Sequence, residues 1–231
     1  MKVLKIKLYQ EMVNYRKSYS FNFIESYPLP TPSMIRGWIY GVINAENREE
    51  YYRNTINNLK VSVNGVSDGF TYDLQHMEKW KDNFGEKTVK TPTYVTLISA
   101  IELNIYISGD DKLLNDFKDN IFNKYPSLGR YEDVANIKSI EYVDLEERSY
   151  GFFDGVHNIN YDTYITKEKA RVASIKGSYL RLPLRYEIVN KTRIFKNANL
   201  LFLSNIGNLT LSDGSFYYDD IGDRIIDFIK F

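Results

Sequence analysis

The chain has 231 residues with 30 basic and 30 acidic side chains, and it contains no cysteine. A chain of this length can bury an apolar core without a staple, and the lack of cysteine excludes disulfides, a thiolate nucleophile and cysteine-ligated metals. Residues 2–8 alternate charged with apolar side chains, and no apolar run reaches the ~18 residues of a membrane helix. We therefore expect a cytoplasmic globular protein without a signal peptide or a membrane segment.

The first predicted elements are a strand over residues 4–8 and a helix over residues 32–44. The helix follows three prolines, with Thr31 suited to the N-cap and Pro32 to the first turn. Its apolar stripe at helical spacing consists of Ile35, Trp38, Ile39, Val42 and Ile43. Gly37 and Gly41 share one side of this helix, where each costs about 1 kcal/mol, so we expect a close approach to the helix backbone there, by a sheet or by a ligand, with a sheet as the first expectation.

Further strands are predicted near residues 59–64, 95–107 and 137–145, and Asn64-Gly65 is a hairpin-turn signal after the first of them. Residues 66–93 are polar and indicate an irregular segment. A second helix begins at Asp110 and Asp111, with an expected buried stripe of Leu113, Leu114, Phe117, Ile121 and Phe122. The order β-α-β-β-α-β predicts an α+β fold of the ferredoxin-like or RRM-like type.

The last third of the chain, from about residue 149, is predicted to consist of strands and turns. Pro183 interrupts an alternating segment and indicates an edge strand or a bend. Residues 165–196 carry nine basic and two acidic side chains, a net charge of +7. This asymmetry suits an anionic partner, although a solvated surface of mixed charge remains an equal interpretation.

Two segments have the residue types of an anion-binding site. At the start of the first helix, Thr31 and Ser33 lie where free backbone N–H groups and the helix dipole favour an anion, and Arg36 could bind a phosphate. After the second helix, Gly129 allows a close backbone approach and Arg130 adds a forked donor. The alternatives are an ordinary capped helix and a glycine cap with Arg130 paired to Glu132 or Asp133.

Catalytic and metal-binding motifs are not recognisable. His76 and His157 lie far apart in the sequence, and neither has a partner at helical spacing. The sequence lacks the phosphate-binding, dinucleotide-binding, zinc-protease and serine-hydrolase motifs. We therefore expect no catalytic residue, no metal and no cofactor.

Two motifs, one at the start of the first helix and one after the second, carry a family resemblance over roughly the first 145 residues. They are Tyr27–Gly37 (YPLPTPSMIRG), preceded by a strand and Tyr15-Arg16, and Ser127–Val134 (SLGRYEDV) after the second helix. Together they resemble the Cas-five family of CRISPR-associated proteins. The resemblance implies a RAMP-type core over residues 1–148 and a thumb hairpin inserted at about 66–93. The extension over residues 149–231 is not expected to form an independent domain.

The resemblance also implies a role and a set of sites. The chain would be a non-catalytic subunit of a type I CRISPR interference complex (Cascade), most similar to type I-B members, which caps the 5′ handle of crRNA. It would join the Cascade backbone subunit to the large PAM-recognising subunit. The residues expected to bind RNA are Tyr15, Arg16, Thr31, Ser33, Arg36, Gly129 and Arg130. The thumb residues expected at an interface are Lys79, Trp80, Lys81 and Lys90.

Two other functions remain open. One branch of the same family cuts crRNA precursors by general acid–base chemistry, and Tyr40, His76 or His157 and Lys79 could supply the necessary groups here. The other alternative is a protein-interaction module that does not bind RNA.

Overall fold

The structure is a computed structural model that describes residues 1–20, 23–43, 58–80, 88–150, 156–190, 192–204, 207–211, 213–219 and 224–230. The first elements are β1 (Lys2–Val13), β2 (Tyr15–Arg16), β3 (Ser26–Tyr27), α1 (Pro32–Ile43), β4 (Lys60–Val66), β5 (Gly69–Trp80), β6 (Thr88–Ser108), α2 (Asp111–Asn120) and β7 (Asn136–Asp144). The later elements are β8 (Glu146–Tyr150), β9 (Val156–Ile159), β10 (Asp162–Thr166), α3 (Lys167–Val172), β11 (Ser178–Val189), β12 (Thr192–Leu203), β13 (Gly207–Thr210), β14 (Gly214–Asp219), β15 (Arg224–Ile226) and β16 (Ile229–Lys230). This confirms the predicted mixture of helices and strands.

One nine-stranded sheet organises the described residues. Its main path runs β11-β12-β10-β4-β6-β1-β7, with β16 added to β4 and β5 added to β6. The pairs β4–β6, β6–β1 and β1–β7 are all antiparallel. The strands of the C-terminal part therefore continue the sheet that begins at the N-terminus. Within the described ranges, no helix is long and apolar enough to cross a membrane.

Both long helices pack on one face of this sheet. Leu4, Ile6 and Leu8 alternate along β1 and belong to the same buried cluster as the apolar stripes of α1 and α2. Trp38 of α1 meets Phe117 of α2 edge to face, with ring centroids 5.3 Å apart. This burial explains both helices, because an amphipathic helix is stabilised mainly by the packing of its apolar face.

The predicted helix starts are confirmed. Thr31 caps α1, where the Met34 N–H donates to the Thr31 carbonyl at 2.9 Å and lies 3.3 Å from its hydroxyl. Asp110 caps α2 by accepting from the Lys112 N–H at 3.0 Å. The expected burial of Phe122 is wrong, since its side chain is 68% exposed. A 3₁₀ turn at Ile121–Asn123 follows α2 and changes the helical period on which that expectation depended.

Asn64-Gly65 does not form the predicted hairpin turn. Both residues lie inside β4, opposite Asn104 and Leu103. A Cβ built on Gly65 would lie 2.5 Å from Leu29 Cδ2 and 2.9 Å from Leu103 Cδ2. The glycine is therefore required by close packing rather than by a turn, and the chain reverses after β4 instead.

Residues 66–93 were expected to be irregular, but most of their described positions belong to a long hairpin. β5 pairs with β6 from Gly69 opposite Ser99 to Trp80 opposite Thr88. The polar composition of this segment did not prevent strand pairing, because the pairing depends on backbone hydrogen bonds, which every residue except proline can donate. The 21-residue strand β6 therefore extends beyond the core. Among the hairpin side chains that the structure describes, four large ones are more than half exposed: Phe70, Tyr72, Leu74 and Tyr94.

The C-terminal strands are fixed to the rest of the protein by buried polar contacts. Lys5 Nζ forms an ion pair with Asp219 of β14, and both side chains are almost fully buried. The Tyr106 hydroxyl donates to the same carboxylate at 2.6 Å. At the other end of the sheet, β11 is the edge strand and its register shifts between Pro183 and Arg185, which confirms the predicted edge or bend.

Candidate nucleic-acid interface

A cleft with a volume of about 1160 Å³ lies beside α1. One side of α1 forms part of its lining, together with Arg16 of β2 and residues of the loop between α2 and β7. The β11–β12 hairpin supplies the remaining lining, including Pro183, Tyr186 and Phe195. Segments far apart in the sequence therefore meet at one concave surface, which is the usual form of a ligand site.

Gly37 and Gly41 face this cleft. Both residues are exposed, and among the described residues no atom from outside the adjoining turns of α1 lies within 4 Å of a Cβ built on either one. The expectation that a sheet packs closely against this side of α1 is therefore wrong. The sheet packs against the opposite, apolar side, so the two glycines leave open space along α1.

The proline segment before α1 is held by tyrosines. The Tyr164 hydroxyl donates to the Leu29 carbonyl at 2.9 Å and accepts from the Leu29 N–H at 3.3 Å. The Tyr27 hydroxyl donates to the Arg181 carbonyl of β11 at 3.4 Å. Burial, with a smaller contribution from Tyr19, raises the pKa of Tyr27 to about 12. These contacts fix the start of α1 relative to β10 and β11.

The structure separates Tyr15 from Arg16. Tyr15 is fully buried, its hydroxyl donates to Gln10 Oε1 at 2.7 Å, and burial raises its pKa well above the usual value. Its ring therefore supports the β1–β2 region from inside and is not accessible for stacking with a nucleobase. Arg16 is exposed and lines the cleft.

The residues at the start of α1 also differ in accessibility. Thr31 and Ser33 are mostly buried, yet both contribute to the lining of the cleft. Arg36 is only 1% exposed and does not belong to the lining, so its side chain points into the protein. The structure therefore does not offer Arg36 as a surface clamp for a phosphate.

Arg130 is engaged within its own loop. Its Nη2 lies 2.7 Å from Asp133 Oδ1, and its Nη1 lies 3.0 Å from Glu132 Oε1. Burial alone would lower the pKa of Arg130, but the hydrogen bonds and charge of Asp133 outweigh burial and raise it. This is the alternative pairing anticipated from the sequence, and Arg130 does not line the cleft.

Gly129 does line the cleft, and its backbone explains the loop. Its φ is +116°, and a Cβ there would lie 2.7 Å from Asp133 Oδ2 and 3.0 Å from Val13 Cγ2. Only glycine fits this conformation and this space. The loop is thereby held against the end of β1, where Gln10 Nε2 also donates to the Leu128 carbonyl at 2.8 Å.

Sequence reasoning missed the aromatic part of the lining. Tyr125 and Tyr131 are stacked with ring centroids 4.9 Å apart, and Tyr186 and Phe195 form an edge-on pair at 6.1 Å. Among the described residues, the charged part of the lining consists of three cations and one carboxylate: Arg16, Lys124, Arg193 and Glu187. The net charge of +7 over residues 165–196 was the one signal in the sequence that pointed to the β11–β12 wall.

Of the remaining predicted residues, one lines the cleft, one lies away from it, and the others have side chains that the structure does not describe. His76 is exposed on β5, opposite Pro92, whereas Tyr40 is buried and lines the cleft. The side chains of four more of the predicted residues, on the hairpin strands and on β9, are not described: Lys79, Trp80, Lys90 and His157. Lys81 lies outside the described residues. Within the described ranges, no group of three His, Asp or Glu side chains could hold a metal ion.

A mixed fold with a cleft that combines cations and aromatic rings is typical of proteins that bind single-stranded nucleic acid. Two solved structures share the fold. A "CRISPR RNA-guided surveillance complex" chain matches with TM-score 0.55 and 16% identity, covering 91% of each chain. A CRISPR protein from Archaeoglobus fulgidus matches with TM-score 0.54 and 11% identity, covering 98% of each chain.

The family model described as "CRISPR-associated protein (Cas_Cas5)" matches residues 3–185. The chain therefore belongs to the Cas-five family of CRISPR-associated proteins. No curated protein matches the chain.

Proposed function

We propose that this chain is a non-catalytic RNA-binding subunit of a type I CRISPR interference complex and binds the 5′ handle of crRNA in the cleft beside α1. The observation that carries the proposal is the family match over residues 3–185, which includes the α1 and loop residues of the cleft. One structure of similar fold is that of an RNA-guided surveillance complex, which supports a role in such an assembly.

The sheet supports a more detailed description of the fold. The antiparallel order β4-β6-β1-β7, with α1 and α2 on one face, is that of a ferredoxin-like core, which we assign to residues 1–148. We treat residues 149–231 as an extension of this core, because β10, β11 and β12 belong to the same sheet.

The charge of the cleft favours a phosphate backbone over a neutral ligand. Within the part of the chain that the structure describes, three cations line it against one carboxylate, although the net charge of the chain is zero. A subunit of a larger assembly needs no large excess of basic residues, since its neighbouring subunits share the neutralisation of the phosphate charges. Among the residues first predicted to bind RNA, Arg16 and Gly129 are exposed in the cleft and Ser33 keeps a small exposed part there, whereas Thr31 is fully buried and supports the start of α1.

The β5–β6 hairpin is the proposed thumb, and we assign to it the contact with the Cascade backbone subunit. Phe70, Tyr72, Leu74 and Tyr94 are exposed on it, and an exposed apolar surface of this kind often marks a protein interface. The contact with the large PAM-recognising subunit and the assignment to type I-B stay predictions from the family resemblance.

The purified chain mixed with labelled repeat RNA tests the proposal. We expect binding without cleavage, and weaker binding of an unrelated RNA of equal length. Cleavage of the repeat would favour the endoribonuclease alternative. Replacing His76 and His157 by alanine, one at a time, would then identify the histidine involved. Absence of binding, both alone and in the assembled complex, would favour a protein-interaction module.

A further inference from the structure

The stacked pair Tyr125–Tyr131 is an exposed platform held by a rigid loop. Tyr125 is 52% exposed and Tyr131 is 77% exposed, so burial does not account for their stacking. The loop beneath them is fixed through Arg130, whose backbone N–H and side chain both donate to Asp133. An exposed pair of rings at a fixed position is suited to take a third flat ring on its outer face.

A second aromatic pair lies on the other wall. Tyr186 and Phe195 occupy paired positions of β11 and β12, and Phe195 is 37% exposed. The Arg193 guanidinium lies 4.8 Å from the centre of the Tyr186 ring. The hairpin therefore presents an aromatic surface with a cation beside it, the combination that binds a base and its phosphate.

The space between the two walls is left open by α1. Gly37 and Gly41 contribute no side chain, and no other part of the chain that the structure describes lies within 4 Å of the position that a Cβ would take on either residue. A planar ring or a ribose can thus approach the helix backbone more closely than it could over any other residue. The cleft volume of about 1160 Å³ exceeds what one base requires.

We propose that the cleft binds two unpaired nucleobases of single-stranded RNA, one against Tyr131 and one against Phe195, with Arg193 and Lys124 beside the phosphates. The inference rests on the proposed function and specifies the state of its ligand. A duplex does not fit the site, because its bases are stacked on one another and offer no free face. Stacking tolerates any base, so the aromatic pairs set the strand state of the RNA rather than its sequence.

Tyr131→Leu and Phe195→Leu test this inference, with Tyr131→Phe and Phe195→Tyr as matched controls that keep the rings. Titration of labelled single-stranded repeat RNA should show affinity lower by about 5- to 150-fold for each leucine variant, because stacking on one ring contributes that factor. The controls should bind as the unchanged protein does. Duplex RNA of the same sequence should bind more weakly and respond little to the leucine variants.

The outcomes separate the inference from the proposed function. If the unchanged protein binds single-stranded RNA and both leucine variants bind it equally well, the stacking sites are wrong while the function stands. If the unchanged protein binds no RNA, the function itself fails. A second readout needs no variant that could fail to fold. The fluorescent base 2-aminopurine is placed at one RNA position at a time, and its fluorescence should fall at two of these positions when the unchanged protein binds. Unchanged fluorescence at every position would overturn the inference.

Discussion

Replacing Gly37 or Gly41 by alanine should stabilise the free protein and weaken RNA binding. The built Cβ atoms meet no described residue outside α1 within 4 Å, so we expect alanine to add no clash. In a helix interior it gains roughly 0.5–1 kcal/mol over glycine, because glycine loses more backbone freedom on folding. The double variant should therefore gain about 1–2 kcal/mol. For a chain of this size the melting temperature should rise by roughly 2–4 °C per kcal/mol.

RNA affinity should move in the opposite direction, because the two methyl groups occupy space that the ligand needs. Urea denaturation and RNA titration of the same preparations measure the two effects. Gly65→Ala is the matched control, since its Cβ would lie 2.5 Å from Leu29 Cδ2. Overpacking there should cost about 1–3 kcal/mol. A loss of stability in the α1 variants, or an unchanged RNA affinity, would contradict the assignment of this face to the ligand.

Three further predictions concern other parts of the molecule. Lys5→Ala should lower the free energy of unfolding by about 3–5 kcal/mol in urea titrations, because it removes one member of the buried ion pair between Lys5 and Asp219. Stability should fall as the pH rises from 10 through 12, because burial raises the pKa of Tyr27 to about 12 from 10.0, and Tyr27→Phe should flatten this part of the profile. The double variant Tyr72→Ser and Leu74→Ser should keep the melting temperature of the free chain within a few degrees of its original value, because both side chains are exposed. It should recover less of the backbone subunit in a pull-down. An unchanged pull-down would show that the hairpin is not part of that interface.

Local signals in the sequence were sufficient for the helices and for the family. Thr31 followed by Pro32 marked the start of α1, and the two motifs around α1 and Gly129 pointed to the Cas-five family that the family model confirms. Arg130 shows the limit of such signals. Its pairing with Asp133 at i+3 was visible as an alternative, but the sequence could not decide between an internal and an external partner.

The misplaced residues depend on contacts between distant segments. Arg36 lies outside the apolar stripe of α1. If the sheet under that stripe were the only cover of the helix, this side of α1 would be exposed. β11 also packs against α1, although the two elements are more than 130 positions apart in the sequence, and no signal within residues 32–43 predicts that contact. The same placement creates the cleft, so the sequence could not distinguish glycines that face a ligand from glycines that face a sheet.

Photo-crosslinking tests the central claim most directly. RNA carrying 4-thiouridine across the handle is bound to the assembled complex and irradiated, and the crosslinked peptides of this chain are identified by mass spectrometry. We predict crosslinks in the loop that contains Tyr131 and in the β11–β12 hairpin that contains Phe195. Crosslinks confined to other surfaces, such as β14 and β15 on the far side of the sheet, would contradict the assignment of the cleft to RNA.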